Sequence, residues 1–154
     1  MDDALTTLLA QAEAERNQAL ATFNQQRARC DAARLQAAQL ENYRHDYQQR
    51  WRTQFASGAA LEIVRCYRGF ADRLDAAIAQ QGQAVVQATA AQARASDTLT
   101  AHELRVASVR KLIERRARAE QQLAERREQK VDDETASRMA SRQRRAFGAA
   151  TVQS

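Results

Sequence analysis

Proline is absent from all 154 residues and glycine occurs only four times, so the chain has few places to turn and nothing that forces a long helix to break. Aromatic residues make up 5% of the chain and, although 44% is hydrophobic, much of that fraction is alanine. A thick globular core cannot be filled from such material, whereas a narrow seam between two helices can. Two cysteines, Cys30 and Cys66, are too few for a disulfide framework and fit a reducing compartment. Apolar runs nowhere approach the ~18 residues of a membrane span, and the acidic start Met1-Asp2-Asp3 is unlike a secretion signal. The expectation is a cytoplasmic protein with no direct membrane insertion. Glycine-rich phosphate loops and paired Cys/His metal spacings are also missing, and His45 and His102 lie far apart. No catalytic, cofactor or metal site is therefore expected.

What is present is Ala, Gln, Arg, Glu and Leu, the residues that tolerate a helix best. Apolar residues recur alternately three and four apart, the spacing that keeps one stripe of a helix facing a partner. The first stripe runs from Leu5 and Leu9 through Ala12, Ala19, Phe23, Cys30, Ala33, Ala37 and Leu40 to Tyr47 and Trp51, interrupted by Arg16, Gln26 and Arg44. The second runs from Val64 and Tyr67 through Leu74, Ile78, Val85, Ala95, Leu99 and Val106 to Val109 and Ile113, interrupted by Gln81, Gln92 and His102. Between them Phe55-Ala56-Ser57-Gly58-Ala59 breaks the pattern, Ser57 able to cap a helix start and Gly58 able to adopt the left-handed conformation that ends one.

The fold expected is all-α, two long helices in an antiparallel coiled-coil hairpin. Helix 1 covers about residues 2–54, the turn 55–60 and helix 2 about 61–145, together one domain over 1–146, with 147–154 a disordered tail. Folding at Gly58 pairs residues whose numbers add to about 118, which sets Leu5 against Ile113, Leu9 against Val109, Ala19 against Leu99 and Leu40 against Ile78. The polar breaks coincide under the same rule, Gln26 with Gln92 and Arg16 with His102, so that polar groups face each other. Helix 2 then overhangs from about Ala117 to Arg145, and so polar a lone helix is marginal in water and calls for a partner.

Charge is uneven along the rod. Residues 1–52 hold seven basic and seven acidic side chains, whereas Arg105 to Arg145 holds thirteen basic against seven acidic. The excess could attract nucleic acid or an anionic membrane surface, yet i,i+4 pairs such as Glu114 with Arg118 and Glu134 with Arg138 mark a solvated helix. Six of the eight aromatic residues, Tyr43, Tyr47, Trp51, Phe55, Tyr67 and Phe70, gather around the turn. Tyr43 and Phe70 flank the stripe, and the register brings Gln36, Leu40, Tyr43 and Tyr47 alongside Gln81, Ala77, Leu74 and Phe70. Such a strip reads either as a protein contact or as a seam that widens near the hairpin.

Gln39-Leu40-Glu41-Asn42-Tyr43-Arg44-His45-Asp46-Tyr47, Tyr67-Arg68-Gly69-Phe70 with Leu74, Ala77 and Ile78, and the run Glu125 to Glu134 resemble the FliJ family of flagellar export proteins over about residues 5 to 140. The resemblance implies a non-enzymatic part of the flagellar type III protein export machine, similar to the central stalk of rotary ATPases and serving flagellum assembly, motility and chemotaxis. It implies that the terminal end of the rod enters the hexameric export ATPase ring and promotes its assembly, with Arg126, Arg127, Glu128, Lys130 and Asp133 as ring contacts. It also implies that the side of the rod contacts the cytoplasmic linker of the export-gate membrane protein through Gln36, Leu40, Tyr43, Tyr47, Phe70, Leu74, Ala77 and Gln81, the last departing from the family's histidine. Export chaperones are further implied partners, and location would be peripheral to the cytoplasmic face of the inner membrane through the export apparatus. The rival reading is a basic coiled coil that binds nucleic acid through Arg115, Arg116, Arg118, Arg126 and Arg127, or a generic scaffold. Asp132-Asp133-Glu134 would repel phosphates and no aromatic platform for bases accompanies the arginines, so no nucleic acid is expected as a partner.

Overall fold

The computed structural model describes residues 2–152. It consists of α1, Asp2–Ala56, and α2, Leu61–Val152, packed against each other. At 1.5 Å per residue, α1 is about 80 Å long and α2 about 140 Å, and among the described residues there is no strand. The architecture is the antiparallel helical hairpin that the two stripes require.

The turn is short because one residue does most of the reversal. Gly58 has φ of 88°, a left-handed conformation that a side chain would strain, and its N–H donates to the Phe55 carbonyl at 3.1 Å. Ser57, expected to cap the second helix, instead donates its hydroxyl to the Gln54 carbonyl at 3.0 Å and so helps close the first. Ala60 precedes α2, its carbonyl accepting from the N–H groups of Ile63 and Val64, and Glu62 supplies negative charge to that helix's first turn.

Among the described residues, every buried one belongs to one of the two stripes. They are Ala12, Ala19 and Cys30 on α1, and Leu74, Ala95, Val106 and Val109 on α2. Leu5 and Ile113 line one hollow at the open end of the hairpin, and Cys30 Sγ lies 3.6 Å from Thr89 Oγ1 midway along. The seam is thus one residue layer wide, and its stability comes from repeated small burials along its length. Where Ala19 and Ala95 are both buried, a hollow opens between Gln18, Thr22, Thr98 and His102.

The polar breaks are resolved differently from the sequence expectation. His102 faces Glu15, with Nδ1 3.7 Å from Oε2, while Arg16 turns to its neighbour Asn17 at 3.0 Å; Arg16 and His102 do not pair. Arginine has reach enough to find a carbonyl oxygen on its own helix, so opposition in register does not dictate its partner. Gln26 and Gln92 both sit half-buried at the seam and share no hydrogen bond, whereas the Gln81 amide donates across it to the Ala33 carbonyl at 3.0 Å. No buried side-chain polar atom is left without a partner among the described residues.

α2 also runs further than expected. It continues beyond Arg145 to Val152, so residues 147–152 are helical where a disordered tail was expected; Gln153 and Ser154 lie outside the described residues. No helix is long and apolar enough to cross a membrane among the described residues.

Candidate interaction surfaces

The hairpin end carries an interlocked aromatic cluster. Tyr47 lies at its centre, its ring centroid 4.5 Å from Phe70, 5.4 Å from Tyr67, 6.0 Å from Trp51 and 6.3 Å from Tyr43. Trp51 and Phe55 extend the cluster to the turn through contacts of 5.2 to 5.3 Å with each other and with Tyr67. Offset and edge-on ring pairs of this kind add to simple burial. They occur here because α1 offers Tyr47, Trp51 and Phe55 at successive i,i+4 steps while the antiparallel register delivers Tyr67 and Phe70 from α2.

The strip read from the sequence divides in two under this geometry. Tyr43, 50% exposed, rests edge-on against Phe70 at 6.3 Å and stacks beside Tyr47, so three of its members touch. Gln36 is exposed, and Leu40, Tyr47, Phe70 and Ala77 are half-buried. Leu74 is buried in the seam, and the Gln81 side chain turns inward to Ala33. The face available to a partner is therefore made chiefly of Gln36, Tyr43 and the outer edges of Leu40, Phe70 and Ala77. Arg44, bridged to Asp75 at 3.0 Å, flanks the same region.

At the opposite end the overhang is free of α1. The hollow lined by Leu5, Thr6, Ile113, Arg116, Ala117 and Glu120 is the last place where the two helices share a surface. From Gln121 to Val152 α2 projects alone for about 48 Å. Arg126, Arg127, Glu128, Lys130 and Asp133 are all exposed on it. The positions that continue the seam beyond Ile113, namely Arg116, Glu120, Leu123, Arg127, Lys130 and Glu134, are polar but for one, so this stretch has no stripe for a further coiled-coil partner of the α1 kind.

A family model for the flagellar FliJ protein matches residues 1–145, spanning both helices and most of the overhang. The chain belongs to the FliJ family. Comparison with curated proteins and with solved structures returned no match. As a FliJ-family protein the chain is a coiled-coil component related to flagellar protein export and motility, and the family match covers both surfaces described above.

Cross-helix ion pairs were not legible beforehand. Arg110 bonds Glu13 at 3.0 Å, and Arg105 joins His102 on the Glu15 carboxylate at 3.3 Å. These pairs flank the seam on opposite sides, and the register rule does not name them, since it sets Glu13 opposite Arg105 and Glu15 opposite Glu103; long side chains beside the stripes reach a turn away. Of the two thiols, Cys30 is completely buried and Cys66 exposed; their levels on the rod differ by about 22 residues, on the order of 33 Å, too far for a bridge. Groups of acidic, His or Cys side chains able to hold a metal are absent among the described residues.

Proposed function

We propose that the chain is a non-catalytic stalk of the flagellar type III export apparatus, in which the overhang of α2 engages the export ATPase ring and the aromatic side of the hairpin engages the cytoplasmic linker of the export gate. The observation that carries this reading is the division of labour along the rod. One end is a rigid paired hairpin with a half-exposed aromatic face, and the other is a single charged helix with no partner of its own. A seam fixed in register holds the two ends at constant separation, so a push or rotation at one is transmitted to the other.

On the ring side, Arg126, Arg127, Glu128, Lys130 and Asp133 present both signs of charge in a short stretch, which suits contacts with several subunits that each offer charged side chains. On the gate side, Tyr43 and Gln36 are the side chains with most surface to give, and Phe70 and Leu40 support them from below. The protein would act in the cytoplasm, held near the inner membrane through these contacts, and the same gate-side face is the candidate site for export chaperones.

The test pairs two binding measurements. Titration of a purified gate linker with the full chain and with the variant Tyr43→Ala/Gln36→Ala should give at least ten-fold weaker binding for the variant, while stimulation of the export ATPase is unchanged. Equal loss of both activities would mean that the two surfaces are not separate and would overturn the assignment.

A further inference from the structure

The last part of α2, from Thr135 to Val152, differs in kind from the overhang before it. Residues 120–134 mix Glu120, Glu125, Glu128, Asp132, Asp133 and Glu134 with only three basic side chains, Arg126, Arg127 and Lys130. Residues 135–152 contain Arg138, Arg142, Arg144 and Arg145 and no acidic residue at all. The segment is helical throughout and about 27 Å long.

At about 100° per residue, Ala136, Met139, Ala140, Ala146, Phe147 and Ala150 fall within one arc of about 120°, interrupted only by Gln143. Arg142 lies at one edge of that arc and Arg144 at the other, with Arg138 and Arg145 on the opposite face. Met139 is 63% and Phe147 79% exposed, so neither is used by the hairpin. An apolar arc flanked on both sides by arginine suits a helix lying in the plane of an anionic lipid surface, where the arginine stems reach along the apolar boundary to the headgroups.

We propose that residues 135–152 form an interfacial helix that binds the surface of a membrane rich in anionic phospholipid. Charge decides between this occupant and a second copy of the same segment. Two copies seated arc to arc would bring eight arginines together without a carboxylate, whereas an anionic bilayer neutralises each one. An arc built mostly of alanine with two bulky anchors also lacks the regular series of large side chains that fills a protein groove, while a fluid surface needs none. The proposal does not depend on the ring or gate contacts, because this segment lies beyond the five residues assigned to the ring.

The experiment is co-sedimentation of the full chain with vesicles of equal parts phosphatidylglycerol and phosphatidylcholine, against vesicles of phosphatidylcholine alone. Binding is expected only to the anionic vesicles and should fall steeply with added salt. Arg142→Gln/Arg144→Gln should lower the partition coefficient roughly ten-fold or more, and Met139→Asp/Phe147→Asp should reduce it to the level of phosphatidylcholine. None of these side chains touches α1, so helicity measured by circular dichroism should not change. Wild-type affinity in Met139→Asp/Phe147→Asp would reduce the effect to loose attraction of a basic chain and overturn the interfacial helix. So would a concentration-dependent dimer without lipid that this variant abolishes, or binding to duplex DNA with none to vesicles.

Discussion

Replacing Tyr47 with alanine removes the ring on which the hairpin end is built, and the structure sets the size of the effect. Four aromatic rings lie within 6.3 Å of it, centroid to centroid. Truncating a buried aromatic residue costs about 3–5 kcal/mol, and ring pairs contribute about 0.5–1.5 kcal/mol each beyond burial. Tyr47 is only half-buried, which lowers the first figure, and the pair energies overlap with it, so the net loss should be about 3 kcal/mol. For a chain of this length each kcal/mol moves Tm by about 2–4 °C, giving a fall of about 6–12 °C. Tyr43→Ala provides the control. That ring is half-exposed and has two ring neighbours, both at 6.3 Å, and its loss should cost about 1 kcal/mol. Thermal unfolding followed by near-UV circular dichroism reads the aromatic cluster directly. Equal shifts for the two variants would refute the reasoning, because they would mean that Tyr43 is as much a structural residue as Tyr47.

Other consequences follow from the same seam. Gly69→Ala and Gly82→Ala should each raise stability by about 0.5–1 kcal/mol, since both positions are helical and an added Cβ meets nothing within 4 Å; Gly58→Ala should lower it, because φ there is +88°, and urea unfolding distinguishes the signs. A thiol reagent should modify Cys66 at once and Cys30 only in denaturant, because Cys30 is fully buried; two fast thiols would contradict the packing. Glu13→Gln should cost no more than about 0.5 kcal/mol despite its 3.0 Å bond to Arg110, as is usual for pairs at the surface, and high salt should erase even that difference in unfolding midpoint.

The seam was legible in the sequence because a period of three and four residues has one physical use in so polar a chain, and Ala12, Cys30, Val106 and Val109 are buried where that period puts them. The turn was legible from Gly58 for a similar reason, since a left-handed residue is what a helix end needs and glycine supplies it at least strain. Side-chain partners were less so. Arg16 stands opposite His102 in register but bonds Asn17, and Glu15 takes the histidine instead, because long side chains can choose among several partners at similar energy. The end of α2 was not legible from the stripe, because a seam period that stops at Ile113 indicates only that no helix packs beyond it, whereas helicity itself continues to Val152. For the gate-side strip, register placed Tyr43, Tyr47 and Phe70 together, and the stripe had already claimed Leu74 for the seam, where it is buried; that the Gln81 amide turns inward to the Ala33 carbonyl was not legible, because a number rule does not say which way a long polar side chain points.

The measurement that bears most directly on the stalk reading is steady-state ATP hydrolysis by the flagellar export ATPase, with the ring's size followed in parallel, in the presence of the full chain or of one ending at Glu120, the last residue of the surface shared with α1. The full chain should stimulate hydrolysis and favour the hexamer, and the shortened chain, which keeps the paired hairpin, should do neither. Full stimulation by the shortened chain would contradict the assignment of the overhang to the ring.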